Sequence, residues 1–325
     1  MAKLTMIEAI TLAHAWEMAH DDSVIVLGED VGKNGGVFRA TAGLQARFGD
    51  QRVQDTPLAE NMIAGMCAGM AAQGLKPIAE IQFMGFLYPA VDQIVNHLSR
   101  MRYRTRGRLT CPVVIRVPHG GGIHAPEHHS ESVEAMIAHI PGIRVVCPSS
   151  PARAYGLLLA SIRDPDPVLF LEPLRLYRYA KQEVTDDGQA LALDACHLLR
   201  HGTDVTVVTW GAMVIETLKA ADELATQGLS AEIIDLCSIS PIDSATILDS
   251  VAKTGRLVIV HEAVRNCGVG AEIAAIVAEE ALYDLEAPIQ RVTGYDTVMP
   301  LARLEYQFIP SVARIITAVQ ATFEE

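Results

Sequence analysis

Two stretches of the chain carry side chains able to do chemistry. The first is Asp55-Thr56-Pro57-Leu58-Ala59-Glu60, followed by a run from Asn61 to Leu75 that holds no charged side chain. Thr56 then Pro57 reads as a helix start, because threonine can cap free amides and proline suits the first helical position. A helix apolar all round is predicted to be buried all round, and Gly65 and Gly69, one turn apart, would let another backbone approach. Glu60 then sits in the first turn of an interior helix. A carboxylate there needs a partner, a proton or a function. It could serve the helix dipole or a salt bridge, or it could be an acid–base group whose pKa is lifted by burial.

The second stretch is Pro118-His119-Gly120-Gly121-Gly122-Ile123-His124-Ala125-Pro126-Glu127-His128-His129-Ser130. Its histidines invite a metal reading, yet there is no H-E-x-x-H, and a loop broken by glycine and proline does not set imidazoles on one face. The loop follows a predicted strand, Pro112 to Val117. In α/β folds the ends of parallel strands are where ligand chemistry is kept, so an acid–base role suits these histidines better. Other motifs carry less. Gly32 to Gly36 lacks the G-x-x-x-x-G-K-[ST] of a phosphate cradle, and Gly268-Val269-Gly270 lacks the third glycine of a dinucleotide fingerprint. The run Arg100, Arg102, Arg104, Arg106, Arg108 reads as a solvated or interface surface.

These groups must be held by a sizeable scaffold. At 325 residues, half hydrophobic and 20% charged, the chain is globular and long enough for two domains. A formal charge of −13 argues against nucleic acid or an anionic membrane as a general partner. The six cysteines are scattered without a C-x-x-C, as expected of reduced, mostly buried thiols. The longest uncharged apolar run, 61–75, is too short for a membrane span, and Glu8 interrupts the first apolar segment. The expectation is a cytoplasmic protein without a targeting peptide.

Along the chain, Thr5-Met6-Ile7-Glu8 has the form of a capping box opening a helix to about His20. The continuously apolar segment 24–28 reads as a strand of a parallel sheet covered by helices, and 76–83, 112–117, 144–147 and 168–172 read as further strands. A long helix is expected from Phe86 through the arginine run, and another from Pro151. Helical period is lost between about Tyr177 and Arg200, which places two α/β/α domains at 1–185 and 186–325. The second alternates strand and helix from Asp204 to Phe323.

At this point a resemblance is legible. Gly28-Glu29-Asp30-Val31-Gly32, Asp55 to Glu60, Glu80-Ile81-Gln82-Phe83, His129-Ser130, Ile162-Arg163-Asp164 and Leu171-Glu172-Pro173 occur in that order. From about Met6 to the C-terminus the chain resembles the beta subunit of the thiamine-diphosphate-dependent 2-oxo acid dehydrogenases, the decarboxylating component of the pyruvate and branched-chain complexes. The resemblance implies a transketolase-like fold: a pyrimidine-binding domain, then a transketolase C-terminal domain. No Gly-Asp-Gly occurs in the chain. The family's signature for magnesium and the diphosphate is therefore absent, and the resemblance assigns that half to an alpha subunit in an alpha-two beta-two assembly.

The resemblance also gives residues roles. It implies that Glu60 hydrogen-bonds N1′ of the aminopyrimidine, so that the cofactor can lose the proton at thiazolium C2 and, after decarboxylation, pass an acyl group to the lipoyl arm of an acyltransferase core. Phe86 matches an aromatic set against the pyrimidine, with Gln82 and Leu58 nearby. His129 matches a histidine facing the reactive carbon, whereas His124 and His128 match no general family position. Val113, Ser161, Ile162, Asp164 and Asp166 match positions that bind a structural potassium ion, largely through carbonyls. Gly35 to Ala40 is similar to bacterial pyruvate enzymes and Gly294-Tyr295-Asp296-Thr297 to branched-chain ones. Pyruvate is the favoured 2-oxo acid; branched-chain and acetoin-cleaving relatives, and a catalytically silent subunit, are the rival readings. Glu60 and His129 both being present argues against silence.

Overall fold

The computed structural model describes residues 2–324. They form two compact units, one of residues 2–119 with Met136–Leu193, the other of Gly120–Ala135 with residues 194–324.

In the first unit the strands run in the order Arg144–Val146, Val168–Pro173, Val114–His119, Lys76–Glu80, Val24–Gly28, Val53–Asp55, all parallel. Every position of Val24–Gly28 is buried, as a strand covered on both faces requires. From Val24–Gly28 the chain steps outward to Val53–Asp55, then crosses back to Lys76–Glu80 on the other side. The order reverses between Val24–Gly28 and Lys76–Glu80, and such a switch point opens a crevice at the carboxyl ends of its strands.

Helix Met6–His20 starts as its sequence predicts. Thr5 accepts from the Glu8 amide while the Glu8 carboxylate accepts from the Thr5 amide at 2.7 Å. It packs against Pro151–Arg163, which Ser150 caps with Pro151 in its first turn.

Three expectations need correction. The central helix begins at Glu60, not at Thr56 or Pro57, and Ala59 precedes it without a side-chain cap. The Thr56 amide instead donates to the Gly28 carbonyl at 2.9 Å, which pins residues 55–59 as a connector across the strand ends. Nor is this helix buried all round: Ile63, Ala64, Cys67 and Ala71 face the core, while Met62 and Met66 are each 37% exposed. Likewise the predicted long helix is a series of short turns, 3-10 over Met84–Ala90, π over Ile94–Leu98 and α over Met101–Arg104. Pro89 lies in the first of them and cannot supply an interior N–H.

Beneath the strand ends lies a buried ionic group. Arg116, in Val114–His119, bonds Glu172 and also Glu80 at 2.8 Å from neighbouring strands, and the Tyr177 hydroxyl donates to Glu172. Burial alone would strip the charge from Arg116, but Glu172 and Glu80 overcome it and hold the guanidinium protonated.

The second unit carries a sheet ordered Gln290–Gly294, Leu257–Val264, Val205–Thr209, Ala231–Asp235, His197–Arg200, parallel except for the last strand. Helices Met213–Thr226 and Val312–Gln320 cover its core of Val207, Ile233, Val258, Val260 and Ile315. Gly268 and Gly270 open helix Val269–Glu280, and a Cβ on either would lie 2.9 or 2.8 Å from the His261 ring. This is a tight turn against a buried imidazole, which itself stacks on Trp210. Among the described residues no helix is long and apolar enough to cross a membrane.

Candidate active site

Glu60 follows the end of strand Val53–Asp55 by five residues and opens helix Glu60–Ala72. It is part-exposed, so the fully interior carboxylate expected from the apolar run is not found in this chain alone. The helix is held on its flank by the Asn61 amide, which donates to the Pro89 carbonyl at 3.1 Å, and by Gln93, whose side chain lies 3.3 Å from a Cβ built on Gly65.

Glu29, at the end of the adjacent strand, shares this edge. Burial, then the negative charge of Glu60, then Asp30, push the Glu29 pKa up. Oε1 of Glu29 and Oγ1 of Thr56 are buried without a hydrogen-bond partner among the described residues. Buried polar atoms in native proteins are paired, so these two oxygens call for a partner, water included, that the described residues do not supply.

Gln82 lies two residues beyond the end of Lys76–Glu80, across the switch point from Glu29. Phe86 packs edge-on against Phe83 at 5.6 Å, Phe83 against Phe38 at 5.3 Å, and Phe38 meets Tyr177 at 5.2 Å. Tyr177 is bonded to Glu172, so the aromatic at the site edge rests on the ionic floor. Leu58 is 80% exposed, an apolar side chain beside Glu60 with nothing covering it in this chain. The first unit thus brings Glu60, Gln82, Phe86 and Leu58 to one strand-end edge, with Glu29 as a further acid to which sequence reasoning gave no role.

His129 belongs to the second unit. It ends a single 3-10 turn, Glu127–His129, and its ring lies 4.3 Å from that of His128, tilted 52°. Burial and His128 lower its pKa from the usual histidine value, with Glu127 partly opposing. The imidazole therefore stays neutral, and able to accept a proton, to lower pH than a free histidine. Sequence reasoning also missed Glu262 and Glu305, which bind the backbone of this loop. The glycine run was the available signal: residues that bend the chain into an amide concavity imply an anion to fill it.

The positions matched to potassium binding also meet in the first unit. The Cys111 amide donates to the Pro165 carbonyl at 2.9 Å, and the Val113 carbonyl accepts from Val168 at 2.9 Å. Ser161 and Ile162 lie in the last turn of Pro151–Arg163, where carbonyls have no helical partner and the dipole is negative. The Asp164 carboxylate pairs with Arg144 at 3.0 Å and that of Asp166 with Arg102 at 2.6 Å. Backbone oxygens, not these carboxylates, are what the segment offers a cation.

Comparison with known proteins bears on the family and the fold. The family model described as the transketolase pyrimidine-binding domain matches residues 2–180, and that of the transketolase C-terminal domain matches 194–315. The pyruvate dehydrogenase E1 component subunit beta of Bacillus subtilis is 48% identical over 324 residues, covering 100% of both chains. The protein of the same name from Acholeplasma laidlawii is 51% identical over 320 residues, covering 98% of each. A solved split-gene transketolase, described as an inactive beta4 tetramer, superposes with a TM-score of 0.82 at 23% identity. It covers 99% of this chain and 98% of that one, and at such identity it speaks for the fold alone.

Proposed function

The chain belongs to the family of pyruvate dehydrogenase E1 component beta subunits, and from that membership we propose that it provides the pyrimidine-side, acid–base half of a thiamine-diphosphate-dependent 2-oxo acid dehydrogenase acting on pyruvate. Glu60 carries this reading: it stands at the open edge of a switch-point crevice beside a second acid, with orphaned polar atoms next to it. When bound, thiamine diphosphate supplies the electron sink for decarboxylation.

The residues present suit the pyrimidine end of that cofactor. Glu60 would bind the ring nitrogen N1′ and control the proton there. Phe86 would lie against the ring, with Gln82 and Leu58 closing its edges. His129 would orient the substrate and the incoming lipoyl group, donating or accepting a proton near neutral pH. No Gly-Asp-Gly is present to hold magnesium and the diphosphate, so these fall to an alpha subunit. Exposed Leu58, Met62 and Met66 are the apolar contacts that such an alpha-two beta-two assembly would cover. The acyl group would then pass to a lipoyl domain of an acyltransferase core. Carbonyls of Val113, Ser161, Ile162, Asp164 and Asp166 would hold a potassium ion that ties the helix end to the strand start.

The test is to purify the chain with its alpha partner and assay pyruvate against 3-methyl-2-oxobutanoate. Faster turnover of pyruvate is expected. Preference for the branched substrate would reassign the specificity, and turnover of neither would make this a silent subunit.

A further inference from the structure

The loop that carries His129 is clamped by carboxylates of its own unit that lie far along the chain. Gly120 and Gly122 have φ of +85° and +83°, and His124 has +61°. Left-handed residues interleaved with ordinary ones turn successive amides to one side and form an anion-binding concavity. Here the anion is internal. The Glu305 carboxylate, 0% exposed, accepts the amides of Gly122 at 2.6 Å, Ile123 at 3.2 Å and His124 at 3.1 Å. Glu262 accepts the Gly121 amide and lies 3.5 Å from the Ser132 hydroxyl.

The other limb is fixed as well. Glu134 accepts the Trp210 indole N–H at 3.2 Å, and the Gly120 amide closes the base of the loop on the Glu131 carbonyl at 3.0 Å. A Cβ on Gly121 would lie 2.5 Å from Cε of Met299 and 3.3 Å from Glu305 Oε1, so a larger residue there would press on the end of the Met299 side chain and on the Glu305 carboxylate. Between the two limbs stands the crown, residues 126–130, with His129 on it.

We propose that Glu305 is a positioning residue for His129. Its charge fills the amide concavity, that sets the course of the loop, and the loop sets the place of the imidazole. The inference rests on the acid–base reading of His129. A glutamine at 305 keeps one acceptor oxygen but loses the charge and turns an NH2 toward amide donors. An aspartate keeps the charge, withdrawn by one methylene.

The experiment compares Glu305→Gln, Glu305→Asp, His129→Ala and the double variant Glu305→Gln/His129→Ala in the assembled tetramer. The readouts are lipoyl acylation and amide hydrogen exchange at residues 122–124. Glu305→Gln should slow acylation by about a hundredfold, the loss typical of a misplacement of ~1 Å, and Glu305→Asp should recover part of it. The double variant should be no slower than His129→Ala, because both changes act through one imidazole. Exchange at 122–124 should accelerate in Glu305→Gln and not in His129→Ala. If Glu305→Gln does not assemble, Glu305→Asp carries the same comparison. Wild-type acylation in the Glu305 variants, or losses that multiply in the double variant, would overturn the proposal alone. Wild-type acylation in His129→Ala would overturn the acid–base reading and the proposal with it.

Discussion

Arg116 grips Glu172 through two parallel hydrogen bonds, Nε to Oε1 at 2.6 Å and Nη2 to Oε2 at 2.9 Å, beneath the strand ends that carry the candidate site. Such a fork fixes orientation as well as charge. The third nitrogen takes Glu80, so one guanidinium serves two carboxylates, and all three side chains are at most 4% exposed. Burial pushes the Glu80 pKa up while Arg116 pulls against it.

Removing Arg116 leaves two buried carboxylates without their cation. Arg116→Met should therefore lower stability by about 3–5 kcal/mol, the usual cost of breaking a buried pair from one side. Urea titration of the assembled enzyme measures it. A loss below about 1 kcal/mol would mean that water reaches and solvates the carboxylates.

Acid should destabilise the second unit through His261. Burial holds its pKa down at about 4, with Glu134 opposing and Arg291 assisting. The unfolded chain takes up the proton first as pH falls below about 6.5, the ordinary histidine value. Stability is thus complete above that value and drops by at most roughly 1.4 kcal/mol per pH unit until about pH 4. His14, buried in the first unit and lowered by burial and by the Arg116 charge, has the same sign. Denaturant midpoints between pH 7 and 5 should show this slope, and His261→Gln should reduce it. An unchanged slope in that variant would place the acid sensitivity elsewhere.

How far these features could be read in advance depended on the range of the interaction. Val24–Gly28 and the Thr5–Glu8 capping box were legible because each is decided by neighbours in sequence. The start of the Glu60 helix was not, because the Thr56 amide is taken by Gly28 on another strand before it can serve a helix. The open face with Met62 and Met66 was read as core because an apolar run does not say whether its cover comes from the same chain. Arg116, Glu80 and Glu172 lie in segments read only as strands, and they become partners only through strand order. Glu305 meets a glycine run more than 180 residues away, beyond any local pattern.

His129→Ala should slow acyl transfer to lipoyl by about a hundredfold, the lower range for general acid–base help, and should slow decarboxylation with an artificial acceptor less. Because burial and His128 depress its pKa, wild-type acylation should hold as pH falls through about 6.5 and decline only below it. The variant should lack that limb. Equal losses in both reactions would place the histidine earlier, at substrate binding or decarboxylation.

Glu60 is the residue on which the functional account stands, and proton exchange at thiazolium C2 reports on it without any substrate. In the assembled tetramer with thiamine diphosphate and magnesium, Glu60→Gln should leave folding and assembly intact and slow deuterium exchange at C2 by at least about a hundredfold, since an amide cannot control the proton at N1′. Exchange as fast as in the wild-type enzyme would contradict the account and reduce Glu60 to a helix-start carboxylate.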